Sequence, residues 1–329
     1  MSGYTPPYEI TDKILSLVAS ISEKIGRVTE RSNLDSKPHL RKNNKIKSIH
    51  SSLAIEANSL SLGEVKDVIN GKTVLGAEKE IQEVKNAYAA YEEISTVDVY
   101  SIKELKRLHG IMTKYLVDMS GDFRLGEEGV FAGDKCIFMA PPAKFVPEQM
   151  ESLFSWMRKN KNTVHPLILA AVFHYEFVFI HPFGDGNGRM ARLWQNLILS
   201  KWKPVFEYMP IESLIQKYQS EYYDAIAKCN NNGNSNVFIE FMLQMIEKTI
   251  DEILVGVKKE SRNISEQVNK LLEVMEPDIP YSANELMERL GIKSKETLRG
   301  SYLNPALENG LVKMTLPNKV NSKNQKYIK

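Results

Sequence analysis

Residues 181–192 read His-Pro-Phe-Gly-Asp-Gly-Asn-Gly-Arg-Met-Ala-Arg, and no other stretch constrains the fold of this chain as tightly. An imidazole, a carboxylate, an amide, two arginines and three glycines in so short a run suit a ligand site and few packing sites. Upstream, Pro166 to Val178 carries a helical pattern. Downstream, Met190, Leu193, Leu197 and Ile198 resume an apolar stripe at i, i+3, i+4 spacing. The string is therefore expected as a loop between two helices, with its glycines at the mouth of the second. Helix N-termini present unpaired N–H groups and the positive end of the helix dipole, so phosphate has a natural seat there. Gly184, Gly186 and Gly188 can take φ > 0 and let a ligand oxygen approach the main chain closely.

Each side chain then has a chemical role. Pro182 fixes the backbone just after His181. An imidazole titrates near neutrality, at about 6.5, so His181 can take a proton from a hydroxyl. Asp185 suits Mg2+, a hard cation held by one or two carboxylates together with phosphate oxygens. Asn187 can donate its amide to a phosphoryl oxygen. Arg189 and Arg192 share a helix face and offer forked donors to terminal phosphates. The string is neither a Gly-Lys-Ser/Thr phosphate loop nor G-x-G-x-x-G. A glycine-rich corner with arginines paired to acids is the plain alternative, and it does not explain the whole string.

Every defined position matches the signature H-P-F-x-[D/E]-G-N-G-R-x-x-R, and the chain thus resembles the Fic family. The resemblance implies a mainly α-helical bundle with a small β-hairpin flap. It also implies transfer of AMP from ATP, with Mg2+, to a Ser, Thr or Tyr hydroxyl of a protein substrate. By it, His181 is the general base and Asp185 the metal ligand. Gly184, Gly186, Asn187 and Gly188 hold the inner phosphates, and Arg189 and Arg192 reach the outer ones. Nothing in the signature reads the base, so UTP, GTP or another donor stays open.

Two further elements gain meaning beside the signature. Ser51 to Asn58 alone reads as a helix end with one acid. It resembles the inhibitory helix [S/T]-x-x-x-E-[G/N] of one class of the family, with Ser52 and Glu56 in place. Ala57 stands where Gly or Asn is expected, and Asn58 follows one place later. The resemblance implies that Glu56 pairs with Arg192 and fills the γ-phosphate subsite. In residues 129–142, β-prone runs flank Gly133-Asp134-Lys135, a hairpin signal, and Pro141-Pro142 ends the second run. The family's flap falls here, at about 129–140, and docks the protein substrate by main-chain pairing. Tyr218, Tyr222 and Tyr223 lie at helical spacing, which usually means core. The resemblance places that region beside the base pocket, so Tyr222 and Tyr223 are candidates to flank adenine.

At 329 residues, two or more units are expected. Residues 1–100 form an N-terminal helical region with the inhibitory helix, and Leu15, Leu17, Val18 and Ile21 begin its first helix. Residues 101–257 form the core, and 258–329 a linker helix and a C-terminal unit. Lys258 to Ser265 is charged and lacks periodicity, as a boundary would. Beyond it, Ser282 to Glu285 is a capping box, Gly291 stops its helix, and Ser294 caps a second helix that ends near Gly310. Leu311–Leu316 and Gln325–Ile328 read as strands around a polar wing at Pro317–Ser322, so the unit resembles a winged helix-turn-helix. Residues 278–329 hold nine Lys/Arg against five Asp/Glu in a chain of net charge +2. Lys293, Lys295 and Arg299 would sit on or beside the recognition helix. DNA contact through 278–329, protein docking and a homodimer all stay open.

The near-zero balance gives no global nucleic-acid or membrane signature. Cys136 and Cys229 make no disulfide framework and suit a reducing compartment. Met1 to Pro7 carries no leader pattern, and the apolar run Leu167 to Ile180 is too short to span a bilayer. A cytoplasmic location with no membrane partner is expected. Self-modification stays open, as does a transcriptional regulator in which the Fic unit only senses nucleotide.

Overall fold

A computed structural model of the chain describes residues 4–31, 38–132, 135–262, 266–308, 310–317 and 322–329. Its elements run α1 (Asp12–Arg31), α2 (Pro38–Ile55), α3 (Leu62–Ile69), α4 (Glu78–Glu92) and α5 (Ile102–Met112). The hairpin strands β1 (Gly129–Ala132) and β2 (Lys135–Met139) follow. Next come α6 (Val146–Asn160), α7 (Pro166–Ile180), α8 (Asn187–Trp202), α9 (Ile211–Lys217), α10 (Gln219–Asn232) and α11 (Asn236–Arg262). The C-terminal elements are α12 (Glu266–Val274), β3 (Tyr281–Ser282), α13 (Ala283–Leu290), α14 (Lys295–Thr297), a π-helical stretch Leu298–Leu303, α15 (Asn304–Glu308), β4 (Lys313–Met314) and β5 (Lys326–Ile328). The protein is mainly α-helical, as the periodicity requires. The chain divides into a larger unit, residues 1–30 with 38–251, and a smaller one made chiefly of 252–329.

The larger unit is organised around α7. Its sequence is apolar on nearly every side, so it can only be a central helix, and Leu167 to Phe177 are all buried. Pro166 opens it at a position where its missing N–H costs nothing, and the His165 side chain accepts from Leu167 N. α8 packs along it. Trp194 of α8 meets Phe154 of α6 and Phe173 of α7 at centroid distances of 6.0 and 6.1 Å. Burying each such ring is worth about 1.5–3 kcal/mol, so the two helices that flank the signature have little freedom to move apart. Around this centre, α2 packs on α9, α4 and α3, which carries its C-terminal end toward α8.

β1 and β2 pair antiparallel, Gly129 opposite Met139, with a register shift between Val130 and Phe131. The tip, Gly133-Asp134, lies outside the described residues. On α1 the packed face is Ile14, Ile21, Ile25 and Val28; Leu15 is 60% exposed. The stripe therefore runs one residue earlier than Leu15 and Leu17 suggested. Nor does the chain break at Lys258, for α11 continues to Arg262. Lys and Glu are good helix formers and need no buried face to extend a helix already begun.

The smaller unit has its own core of Val268, Leu271, Leu286, Leu298, Leu303 and Tyr327, with others around them. Ser282 and Glu285 complete the capping box of α13, Gly291 ends that helix at φ 67°, and Ser294 caps α14 by accepting from Thr297 N. The strands form one sheet in the order β3-β5-β4, with Tyr281 opposite Tyr327 and Met314 opposite the same residue. Of the expected wing, residues 318–321 lie outside the described residues.

Candidate active site

α7 ends abruptly at His181, which adopts φ 51°, ψ 60° and closes the helix by donating its N–H to Phe177 O. A left-handed backbone at a non-glycine residue costs on the order of 1–2 kcal/mol, so something must hold it. Pro182 follows, and Arg124 locks the corner from behind. That buried guanidinium donates through Nε to His181 O at 2.7 Å, through Nη1 to Gly126 O at 2.9 Å, and through Nη2 to Pro141 O. Arg124 N also donates to Pro182 O at 2.9 Å. One side chain thus ties the start of the signature to the segment that leaves the hairpin.

The His181 ring bonds through Nδ1 to Val178 O at 3.3 Å. A carbonyl can only accept, so Nδ1 carries the proton and Nε2 keeps its lone pair. Burial holds the imidazole below its ordinary pKa, with the charge of Arg124 adding to the effect. His181 is a neutral ring with a base pointing away from its anchor.

The loop is shaped by a second histidine. His109 of α5 stacks on Phe183 at 3.6 Å between centroids and 4° between planes. Its Nδ1 accepts from Gly121 N at 2.9 Å, which leaves Nε2–H to donate to Asp185 O at 3.0 Å. Burial pushes this ring down to about pKa 4, so it stays neutral. Asn187 clamps the other side, its Nδ2 donating to Phe183 O at 2.7 Å and its Oδ1 accepting from Phe183 N at 3.0 Å. The carboxamide is thus engaged at both ends in holding the turn. Of the three glycines, only Gly186 takes positive φ, at 80°; a Cβ there would come within 3.1 Å of Thr113. Gly184 meets nothing closer than 3.8 Å. The freedom to take φ > 0 is used at Gly186 and not at Gly184 or Gly188.

α8 begins at this turn, and its first basic residues point to different partners. Arg189 is 3% exposed; its Nη2 donates to Asp185 Oδ1 at 3.0 Å, and its Nη1 lies 3.5 Å from Glu83 Oε1. Asp185 is more open, with a side chain 42% exposed. Partial burial works against its charge, but Arg189 and the Gly186 N–H, donating at 2.5 Å, bring its carboxyl below the ordinary value. Arg192 is 2% exposed. It donates through Nε to Ser52 Oγ at 3.1 Å, and through Nη2 to Ser52 O at 2.9 Å and Glu56 Oε1 at 2.7 Å. Burial opposes the charge, yet Glu56 more than offsets it, and the guanidinium stays protonated.

Glu56 stands just past the end of α2. The site of a Cβ on Gly188 is only 2.2 Å from Glu56 Oε1 and 3.1 Å from Arg192 Nη1. The Glu56 carboxylate therefore occupies the space that glycine leaves at the N-terminus of α8. Arg192 Nη1 is buried there and makes no hydrogen bond to the described residues. Ser52, Glu56, Gly188 and Arg192 are thus brought together across a sequence separation of 136 residues for the Glu56–Arg192 pair.

The two tyrosines part company. Tyr222 is 2% exposed, with Oη 2.9 Å from His174 Nε2, so it stands within the core rather than offering a ring face. Tyr223 is 45% exposed, and its hydroxyl reaches Ile55 O at 3.5 Å. Gln219 donates to the same carbonyl at 3.0 Å. His109, Arg124, Glu83 and Gln219 escape a reading of the sequence because each stands alone in a segment with no motif. Among the described residues no group of three or more His, Cys, Asp or Glu is arranged to hold a metal ion, and no helix is long and apolar enough to cross a membrane.

Residues 99–199 match the model of the Fic/DOC family, and residues 266–328 match the C-terminal domain of Fic-like proteins, named for filamentation induced by cAMP. A crystal structure of a Fic family protein from Desulfovibrio desulfuricans G20 is 42% identical, with a TM-score of 0.75, over 99% of this chain and 98% of that one. The chain belongs to the Fic family. It is also 28% identical to protein adenylyltransferase fic-1 of Caenorhabditis elegans over 66% of this chain and 42% of that protein. With protein adenylyltransferase Fic of Nematostella vectensis the figures are 30%, 63% and 48%. The chain thus spans about half the length of the curated relatives it matches.

Proposed function

We propose that the chain is a protein adenylyltransferase held off by its own Glu56. One observation carries the reading: a carboxylate sits 2.7 Å from Arg192 in the gap at Gly188, where the N-terminus of α8 offers a seat to an anion. A phosphate seat filled by an acid is inhibited by competition. With Glu56 withdrawn, Arg192 and the α8 amides take the outer phosphates of ATP and the Gly186–Gly188 turn the inner ones. A protein hydroxyl gives its proton to His181 Nε2 as its oxygen attacks the α-phosphorus. The bond to the β-phosphate oxygen breaks and pyrophosphate leaves. Catalysis is mostly placement and charge stabilisation, with base catalysis added by His181.

The site suits Mg2+ through Asp185 alone. That carboxylate is ionised and partly open, and Mg2+ is commonly held by one or two protein carboxylates plus phosphate oxygens. When bound, the ion would screen the negative charge of the phosphates. Tyr223, the exposed member of its pair, takes the adenine side. Among the described residues β1 and β2 pair only with each other, which leaves an edge for an extended protein segment. In this reading residues 1–100 carry the inhibitory helix, 101–257 the transferase core, and 258–329 a winged helix-turn-helix for docking DNA or protein.

Incubation with ATP labelled at the α-phosphorus is expected to label protein covalently, more strongly in Glu56→Gly, while label at the γ-phosphorus does not stay bound. Retention of γ label, or no α label in Glu56→Gly, would overturn the reading.

A further inference from the structure

The turn that carries Glu56 is under strain and is held by a residue outside both motifs. α2 closes with two paired main-chain bonds, Ala57 N to Ala54 O at 3.1 Å and Asn58 N to Leu53 O at 3.1 Å. This closure places Ala57 at φ 65°, a position that favours glycine or asparagine. Alanine there costs on the order of 1 kcal/mol, so the turn would relax unless it were fastened. The fastening comes from α4. Asn58, 7% exposed, donates Nδ2 to Glu83 Oε2 at 2.8 Å and to Glu80 O at 3.2 Å. The other oxygen of Glu83 faces Arg189 Nη1 at 3.5 Å, an ion pair with side chains only 12% and 3% exposed. Such a pair is weakly screened by solvent.

We propose that Glu83 is a positioning residue of the inhibited state, a single carboxylate that joins the turn carrying Glu56 to the signature arginine Arg189. The proposal rests on the transferase reading above and adds a second tie to the Glu56–Arg192 contact. Arg189 cannot turn toward a phosphate without loosening its hold on Glu83, and Glu83 is the side chain on α4 that, together with the Glu80 carbonyl, anchors Asn58. Nucleotide at Arg189 and release of the Glu56 turn are thereby coupled. The carboxylate serves two donors at once. A glutamine at 83 has one acceptor oxygen and sets an N–H against whichever donor remains, so Glu83→Gln cuts the tie while keeping the shape.

The test is a two-by-two comparison of labelling from α-labelled ATP, wild type and Glu83→Gln, each with and without Glu56→Gly. Glu83→Gln alone is expected to raise labelling about threefold to tenfold, the range that one net hydrogen bond contributes. In the Glu56→Gly background it is expected to raise nothing, since no inhibitory carboxylate is left to release. Asn58→Ala, which leaves Glu83 and Arg189 intact, should reproduce the rise. Adding Ala57→Gly to Glu83→Gln should lower labelling again, because glycine relieves the φ 65° turn. A fall in both backgrounds would mean that Glu83 is merely structural, and an equal rise in both that it acts on Arg189 alone; either overturns the proposal. If no variant labels at all, Glu56→Gly included, the transferase reading fails, and amide hydrogen exchange decides the tie by itself. Residues 53–61 should then exchange faster in nucleotide-free Glu83→Gln than in wild type, and equal exchange overturns the tie.

Discussion

The start of α8 and the helices α13 to α15 both carry clustered basic residues, and the two clusters could hardly differ more. At α8, Arg189 and Arg192 are 3% and 2% exposed and lie among Glu83, Asp185, Ser52 and Glu56. In the smaller unit, Lys293, Lys295 and Arg299 are all exposed. A buried charge costs several kcal/mol unless it is paired, so the α8 arginines specify their surroundings. An exposed lysine costs nothing and specifies nothing. A buried charge therefore says what it is for, while a surface one must be asked by experiment.

The sharpest way to break this contrast is to remove His181, the proposed general base. His181→Ala is expected to lower labelling from α-labelled ATP by about a hundredfold or more, the scale of a lost general base. ATP affinity in the same variant should stay within a fewfold of wild type. Labelling near the wild-type level would detach function from the buried cluster. Next in size, Glu56→Gly is expected to raise self-labelling by about tenfold, or roughly 1.4 kcal/mol of relieved inhibition. Arg192→Ala should not imitate it, because in the proposed reading the same guanidinium takes the outer phosphates. Equal labelling by wild type and Glu56→Gly would reduce that acid to a bystander.

A pH series probes burial itself. His109 has a folded pKa of about 4 against an ordinary 6.5, chiefly because it is buried. Its neutral form is favoured on folding, so its contribution is complete above pH 6.5 and is lost as pH falls toward 4. Glu176 acts in the opposite sense. Burial raises it to about 7 from 4.5, so its contribution is complete below 4.5 and is lost as pH rises through 7. Over pH 4.5–6.5 the two oppose each other, and wild type should show little net slope from them. Single variants separate them, each by about 1–3 kcal/mol. His109→Ala should steepen the loss of Tm with rising pH, and Glu176→Gln the loss with falling pH. Parallel Tm curves for all three proteins would refute the assignment. The smallest effect concerns the exposed cluster. Removing residues 278–329 is expected to leave labelling of a generic substrate within about twofold, since every proposed catalytic group lies earlier in the chain. Any duplex binding by the full chain should vanish with that removal and weaken steeply with salt.

What could be read in the sequence follows the same division. The loop, its flanking helices and the hairpin were legible because each is a contiguous run in which spacing and residue type agree. The pairing of Glu56 with Arg192 was expected only through the family resemblance, since nothing in the spacing of two residues so far apart brings them together. The residue type of Asn187 permits donation to a phosphate. Its role as a clamp on Phe183 depends on the shape of the turn, which no residue pattern states. Tyr222 and Tyr223 are neighbours, and only packing decides that one ring is sealed in and the other open. His109 and Arg124 are isolated residues whose importance comes from main-chain carbonyls, and carbonyls leave no trace in sequence.

The missing methyl at Gly188 has a genetic consequence. In the proposed reading the gap that admits the Glu56 carboxylate is also the one that a phosphate enters, so regulator and substrate share a single address. Any side chain at 188 evicts both. Variants that escape inhibition should therefore never arise at that glycine. A selection for constitutive labelling should return substitutions in residues 52–58 and their supports on α4, while changes at Gly188 should appear only among the inactive clones. Losing the restraint and losing the activity would map to opposite sides of the gap between Glu56 and Gly188.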